Sequence, residues 1–176
     1  RLNNAAVHRG AHQLAEEATD AYEGARDIVA NFLNAGVEEI IFTKSATESL
    51  NLIAYAMGNA EPGNRFHLTA GDSIVVTEME HHANLVPWQE VCAKTGAVLR
   101  WIPLTPEGRL DLSDLDRLIN ERTRVVSFTQ QSNLLGTVNP VAPIVDAARA
   151  VGALIVLDSC QSVPHMPIDV ASLGVD

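Results

Sequence analysis

Short runs of aliphatic residues recur along the chain, and a stretch with helical features separates each run from the next. The runs cover residues 40–42, 74–76, 125–128 and 154–157, and a fifth, mixed run covers 98–102. Strands this apolar are buried on both faces, which is typical of a parallel sheet covered by helices. The pattern therefore predicts an α/β fold with three layers, α/β/α, around a mainly parallel sheet.

The segments between the runs carry signals for helices. Apolar residues at spacings of three and four predict a helix over residues 12–34, with Gly36 as its stop. Ser45 or Thr47 is expected to cap a second helix that ends near Met57. Three further helices are predicted, over residues 84–95, 113–120 and 139–151.

Two of these later helices have recognisable starts. Ser113 and Asp116 resemble a capping box. Asn139 precedes Pro140, which suggests a capping side chain followed by a proline at the first helical position. Both patterns predict where the chain turns from a loop into a helix.

The charge balance limits the partners of the chain. Its 176 residues include 12 Lys+Arg and 22 Asp+Glu, a net charge of −10, which argues against nucleic acid and anionic membranes. No apolar run approaches the roughly 18 residues of a membrane span, and residues 1–4 show no signal-peptide pattern. Cys92 and Cys160 are the only cysteines, so a cytoplasmic location is expected rather than a disulfide framework.

Ligands of open α/β sheets lie beyond the carboxyl ends of the strands, so the residues after each run are candidates for a site. After the first run, residues 43–48 place Ala46 and Thr47 at a predicted helix N-terminus. Free N–H groups and the helix dipole favour a phosphate there. An ordinary helix cap is the alternative, and no Walker signature is present.

After the second run, His81 and His82 stand side by side. Their spacing matches no zinc motif, so no metal site is predicted. A flat imidazole can stack on a planar cofactor or move protons, whereas the alternative is a solvated loop histidine. The third run is followed by uncharged polar residues, 129–137, which suit either a polar ligand or a plain loop.

The fourth run ends at Asp158. A carboxylate directly after four apolar residues is costly to bury unless a partner is present. A protonated pyridine nitrogen is such a partner, and pyridoxal 5′-phosphate (PLP) enzymes use an aspartate in this way. The alternative is that Asp158 caps the following turn.

Together, these segments resemble the class V aminotransferase-like PLP enzymes, and among them the cysteine desulfurases of the SUF iron–sulfur system. The resemblance spans nearly the whole chain, and its most specific part is the Glu-His-His-Ala-Asn string with Pro-Trp-Gln after it. The matching segments are 8–10, 43–51, 80–84, 87–89, 132–133, 136–137 and 158–161. The resemblance implies the large domain of a fold-type I PLP-dependent transferase.

The resemblance also implies roles in holding the cofactor. Ala46 and Thr47 would bind the PLP phosphate. His81 would stack on the ring and help proton transfer, as the catalytic residue. Asp158 would pair with the ring nitrogen, and Gln161 would hydrogen-bond the phenolic oxygen.

Three residues are implied near the substrate. Asn133 would lie close to the phenolic oxygen and to the substrate carboxylate, and His8 and Arg9 match a loop that lines the mouth of the site. Gln130 departs from the family pattern, because many relatives have a histidine there.

The family anchors PLP to a lysine in a Ser-Gly-His-Lys string and takes up sulfur on a cysteine far toward the C-terminus. The chain has only Lys44 and Lys94, and neither matches that lysine. Residues 1–176 are therefore expected to be part of the PLP-binding large domain. A first strand is expected before them, and the lysine region and a C-terminal small domain after them.

The implied activity is conversion of L-cysteine to L-alanine, with persulfide sulfur passed to an acceptor protein for iron–sulfur cluster assembly. The family usually forms homodimers. The same cofactor residues would also fit a selenocysteine lyase, an epimerase or a class V aminotransferase. A catalytically inactive fragment with a PLP-type fold is a further alternative.

Overall fold

A computed structural model describes residues 5–176; the prediction about a signal peptide in residues 1–4 lies outside the described residues. The chain divides into two compact units. The first runs to Phe42 and includes Ile168–Ser172, and the second comprises Thr43–Pro167 with Leu173–Asp176. Among the helices of residues 5–176, none is both long enough and apolar enough to span a membrane.

The first unit is built on helix α1, Gln13–Leu33. The His12 side chain accepts a hydrogen bond from the Ala15 N–H at its start. The helix ends at Asn34, whose φ of 53° is left-handed and whose N–H bonds Ala30. Asparagine tolerates this conformation better than most residues, so Asn34 rather than Gly36 is the stop.

The predicted strand over residues 40–42 is wrong. A 3₁₀ turn, Val37–Glu39, precedes it, and these residues lie in no strand. The Arg26 guanidinium donates to the Ile40 carbonyl and lies over the Phe42 ring, 5.2 Å from its centroid. The Ile40 carbonyl thus accepts from a side chain and not from the backbone of a neighbouring strand. Ile41 is 72% exposed, unlike a residue of a buried strand.

The second unit contains a four-stranded sheet in the order β2-β1-β3-β4. All neighbouring strands are parallel. The strands are β1 Ser73–Thr77, β2 Val98–Ile102, β3 Thr123–Thr129 and β4 Leu154–Asp158. These match the remaining four predicted strands, and the parallel sheet is confirmed.

Helices cover both faces of this sheet. They are α2 Ala46–Gly58, α3 Val86–Thr95, α4 Leu115–Leu118 and α5 Val141–Ala150. A short helix, α6 Val170–Leu173, follows β4 in the chain. One core joins Trp88 of α3 to Ile74 and Val76 of β1. The other joins Ile144 of α5 to Val75 of β1. Successive strand residues thus serve opposite faces, and the three-layer prediction is confirmed.

The two predicted caps are wrong. Helix α4 starts after Asp114 without a side-chain cap, so Ser113 and Asp116 form no capping box. Helix α5 starts after Pro140, again without one. The Asn139 amide is buried instead and donates to the Thr129 carbonyl, 2.8 Å away. Buried polar groups are almost always hydrogen-bonded, and the Asn139 amide finds its partner in the Thr129 carbonyl instead of capping the helix.

Candidate functional site

The order of the strands reverses between β1 and β3. Helix α3 leads from β1 outward to β2, whereas α5 leads from β3 outward to β4 on the other side. The loops that follow β1 and β3 therefore diverge, and such a point leaves a crevice for ligands. A cavity of about 220 Å³ is lined there by the start of α2 and by the segments after β1, β3 and β4.

Six residues singled out from the sequence line this cavity. They are Ala46, Thr47, His81, Asn133, Asp158 and Gln161. They come from four separate segments of the second unit. The structure therefore brings together the residues for which the resemblance implied contacts with one cofactor.

The N-terminus of α2 lies at the cavity, which Ser45, Ala46 and Thr47 line. Ser45 is the N-cap, and its side chain accepts from the Glu48 N–H at 3.3 Å. The N–H groups of Ala46 and Thr47 have no acceptor within the helix, as in the first turn of any helix. Together with the helix dipole, they form a site suited to a phosphate.

His81 stands at the exit of β1, with an exposed ring. Its Nδ1 accepts the Ala83 N–H at 3.1 Å, which caps the 3₁₀ turn His82–Asn84. This bond orients the ring and assigns the proton of the neutral imidazole to Nε2. Among residues 5–176, no group of three His, Cys, Asp or Glu is arranged to hold a metal ion.

Asp158 is the last residue of β4 and is buried, with 8% of its surface exposed. One oxygen, Oδ1, accepts the Cys160 N–H at 3.0 Å, so the aspartate does cap the following turn. The same carboxylate lines the cavity. A cap and a ligand contact are therefore compatible at this residue, since a carboxylate has two oxygens and several lone pairs.

Gln130 is buried beside Asp158. Its N–H donates to the Asp158 carbonyl at 2.9 Å. Its Oε1 accepts from the hydroxyls of Ser162 and Ser159, at 2.7 and 3.0 Å. The side chain thus holds the turn after β4 rather than facing the cavity.

The exit of β3 adds residues that the sequence pattern did not single out. Thr129 and Gln131 both line the cavity with Asn133. The Oε1 atom of Gln131 is buried and has no hydrogen-bond partner among the described residues. Buried amide oxygens are rarely left unbonded, so this atom marks a place for a donor.

Sequence reasoning did not single out Glu80, although this residue belongs to the recognised Glu-His-His-Ala-Asn string. Its carboxylate accepts from the Thr77 hydroxyl, from Asn84 Nδ2 at 2.7 Å, and from the Thr129 N–H at 3.0 Å. Burial is the main cause that raises the pKa of Glu80 to about 7 despite these three bonds, and the charge of Asp158 contributes to the rise. Only the folded chain reveals this environment.

The free energy of unfolding should depend on pH because of Glu80. In the unfolded chain the Glu80 pKa takes its ordinary value of 4.5. Between pH 4.5 and 7 the folded state holds a proton that the unfolded state has lost. The stabilising contribution is therefore full below pH 4.5 and is lost as pH rises through 7, by about 3 kcal/mol.

Unfolding free energies of wild type and Glu80→Gln, measured from about pH 5 to about pH 8, test this. Relative to the variant, the wild type is expected to lose stability as pH rises. A constant difference across that range would show that Glu80 is ionised throughout.

His8 and Arg9 lie in the first unit. His8 has a φ of 61°, and its Nε2 is 2.9 Å from Glu23 Oε1. Its backbone N–H donates to Thr19 Oγ1 at 3.0 Å. Their implied role at the mouth of the site stays a prediction.

Neither lysine of the chain lines the cavity. The side chain of Lys44 is 92% exposed, and its Nζ lies 3.7 Å from Glu48 Oε1. Lys94 donates to Asn59, at the opposite end of α2.

The two cysteines lie in different surroundings. Cys92 packs beside the α2–α3 core, and burial raises the pKa of its thiol to about 11. Cys160 is exposed and lines the cavity.

Comparison with known proteins identifies relatives. The family model described as aminotransferase class-V matches residues 1–176. A protein of Mycobacterium leprae named "Probable cysteine desulfurase 2" is 55% identical over 99% of this chain and 41% of its own length. A "Probable cysteine desulfurase" of Streptomyces coelicolor is 56% identical over 98% of this chain and 41% of its own length.

Solved structures agree. The apo structure of a cysteine desulfurase from Thermococcus onnurineus superposes with a TM-score of 0.90 at 41% identity, covering 99% of this chain and 42% of that one. The structure of an Escherichia coli cysteine desulfurase superposes with a TM-score of 0.82 at 37% identity, covering 98% of this chain and 42% of that one. The chain thus spans about two fifths of the length of the relatives it matches.

Proposed function

Because the chain belongs to the aminotransferase class-V family, we propose that it forms part of the PLP-binding large domain of a cysteine desulfurase. The single observation that carries the proposal is the cavity at the exits of β1, β3 and β4. Six residues with implied cofactor contacts line it. The names of the relatives support the choice of reaction.

The groups that line the cavity are chemically suited to the groups of PLP. The start of α2 offers free N–H groups to a dianionic phosphate. At another part of the wall, Asp158 is a buried carboxylate that suits a protonated ring nitrogen.

The residues of this chain would divide the work as follows. Ala46 and Thr47 hold the phosphate through their N–H groups. Asp158 keeps the ring nitrogen protonated, and Gln161 holds the phenolic oxygen. When bound, PLP supplies an electron sink for carbanion-like species. His81 would contact the ring and would be free to move a proton through Nε2, because its Nδ1 accepts the Ala83 N–H.

The proposed reaction converts L-cysteine and an acceptor thiol into L-alanine and an acceptor persulfide, so that the atoms balance. Asn133 would orient the substrate carboxylate, with His8 and Arg9 at the mouth. The sulfur would go to an acceptor protein for iron–sulfur cluster assembly. A homodimer in the cytoplasm is the proposed working form.

Two groups needed for this reaction are assigned to parts of the relatives that the chain does not span. Neither Lys44 nor Lys94 lines the cavity, so the lysine that anchors PLP is one of these groups. The cysteine that takes up sulfur is the other: Cys92 is packed beside a core, and Cys160, although exposed at the cavity, does not match the family's cysteine, which lies far toward the C-terminus. Residues 1–176 would therefore supply the pocket and not the whole machinery.

The test is an assay of the protein expressed from its complete reading frame. With PLP, L-cysteine and a thiol reductant, we expect stoichiometric release of L-alanine and sulfide. Selenocysteine and other amino acids are assayed in parallel. Turnover of another amino acid without L-alanine release from cysteine would assign the protein to a different class V activity, and no turnover of any would favour an inactive PLP-type fold.

A further inference from the structure

Glu80 joins the exits of two neighbouring strands. It lies three residues beyond β1, and its Oε1 accepts the N–H of Thr129, the last residue of β3, at 3.0 Å. The Thr77 hydroxyl at the end of β1 donates to the same oxygen. The carboxylate therefore bridges the segment that carries His81 and the segment that carries Gln131 and Asn133.

The hydrogen bonds behind Glu80 have a fixed direction. Asn84 Oδ1 accepts from the Ser127 hydroxyl at 2.6 Å and from Trp88 Nε1–H at 3.1 Å. The amide oxygen is thus committed to two donors, and Trp88 can only donate. Asn84 Nδ2 is left facing Glu80 Oε2, at 2.7 Å.

This direction requires an acceptor at position 80. Three donors converge on Glu80, and an ionised carboxylate can accept from all of them without a proton of its own. A glutamine would turn an NH₂ group toward the Asn84 NH₂ group or toward Thr129. Turning the Asn84 amide over would in turn break its bonds to Ser127 and Trp88.

We propose that the Glu80 carboxylate is a positioning residue for the cofactor cavity, setting His81 after β1 against the polar residues after β3. It acts through these neighbours, because Glu80 itself does not line the cavity. The inference rests on the proposed function, since it concerns how well the cavity holds PLP.

The electrostatic surroundings agree with such a role. Among the groups around it, Asp158 at the exit of β4 is the one whose charge acts on Glu80, and His81 is the next residue in the chain. Two carboxylates near one cavity repel each other, and a cation bound at Asp158 relieves that repulsion. Ionisation of Glu80 and binding of a protonated ring nitrogen therefore favour each other.

The test measures the PLP dissociation constant of the protein expressed from its complete reading frame, by spectroscopic titration. Four proteins are compared: wild type, Glu80→Gln, the double variant Glu80→Gln/Asn84→Asp, and the control Glu78→Gln. Glu78 is an exposed glutamate two residues earlier that bonds the Leu104 N–H at 2.8 Å. The double variant restores a donor–acceptor pair at positions 80 and 84 and keeps the net charge.

At about pH 8 we expect Glu80→Gln to raise the dissociation constant about tenfold, since one unsatisfied buried pair costs that much. The double variant should recover most of the loss, and Glu78→Gln should match the wild type. At about pH 6 the wild type and Glu80→Gln should converge, because a protonated Glu80 has also lost an acceptor.

Three results would overturn the inference. One is equal PLP affinity of Glu80→Gln and wild type at about pH 8. The second is a difference that stays constant with pH, which a packing defect alone would produce. The third is a double variant no better than the single one while circular dichroism shows both folded. A wild type that binds no PLP would instead overturn the proposed function and this inference with it.

Discussion

Asp158→Ala is expected to lower the turnover of L-cysteine at least about a hundredfold in the protein expressed from its complete reading frame. Without the buried carboxylate the ring nitrogen of PLP loses its proton, and the ring withdraws electrons less well. A loss of about 3 kcal/mol of transition-state stabilisation corresponds to that rate. The measurement is steady-state alanine release at saturating PLP, with the fold checked by circular dichroism.

Asp158→Asn separates the cap that the structure shows from the proposed contact with the ring nitrogen. An asparagine oxygen can still accept the Cys160 N–H, the 3.0 Å bond of the turn, but it carries no charge. Turnover should therefore fall almost as far as in Asp158→Ala. If both variants stayed within a few-fold of wild type, Asp158 would be only a cap.

Trp88→Ala is expected to lower the free energy of unfolding by about 4 kcal/mol. The indole is fully buried in the core between α2, α3 and the sheet. Its removal leaves a large cavity and frees one acceptor lone pair of Asn84, to which Trp88 Nε1–H donates. Denaturant titrations followed by far-ultraviolet circular dichroism measure the change.

Trp88→Phe is the matched variant, because it keeps most of the buried ring and loses the donor. Its expected cost is about 1–2 kcal/mol, the usual range for a large core residue that shrinks and loses one hydrogen bond. The reasoning proposed for Glu80→Gln also predicts that Trp88→Phe weakens PLP binding slightly, because Trp88 donates to Asn84 and Asn84 donates to Glu80. A cost below about 1 kcal/mol for Trp88→Ala would show that the core closes over the gap.

Much of the fold could be predicted from local patterns. Runs such as 74–76 and 154–157 became strands because a buried strand needs only a short apolar segment between turn signals. The run at 40–42 looked the same but became no strand. Its Ile40 carbonyl accepts instead from the guanidinium of Arg26, fourteen residues earlier. No local pattern contains that contact.

The site was predictable to a similar extent. Recognisable motifs singled out six of the eleven residues that line the cavity, and strand exits placed them at one edge of the sheet. Glu80 was not singled out, and Gln131 was named only as part of the polar run 129–137, because the environment of each side chain depends on residues distant in the sequence. Glu80 meets Thr129 across 49 residues of sequence, and the Gln131 oxygen stands out only because it lacks a partner among the described residues.

The sequence by itself determined the class of the fold, four of the strands and the chemical types of group at each strand exit. These follow from short-range periodicity and from the cost of burying a charge such as Asp158 without a partner. The tertiary structure alone decided the strand order β2-β1-β3-β4, and with it which exits face one cavity. It also decided the Glu80 environment, because hydrogen bonds and desolvation depend on atoms brought together from distant segments.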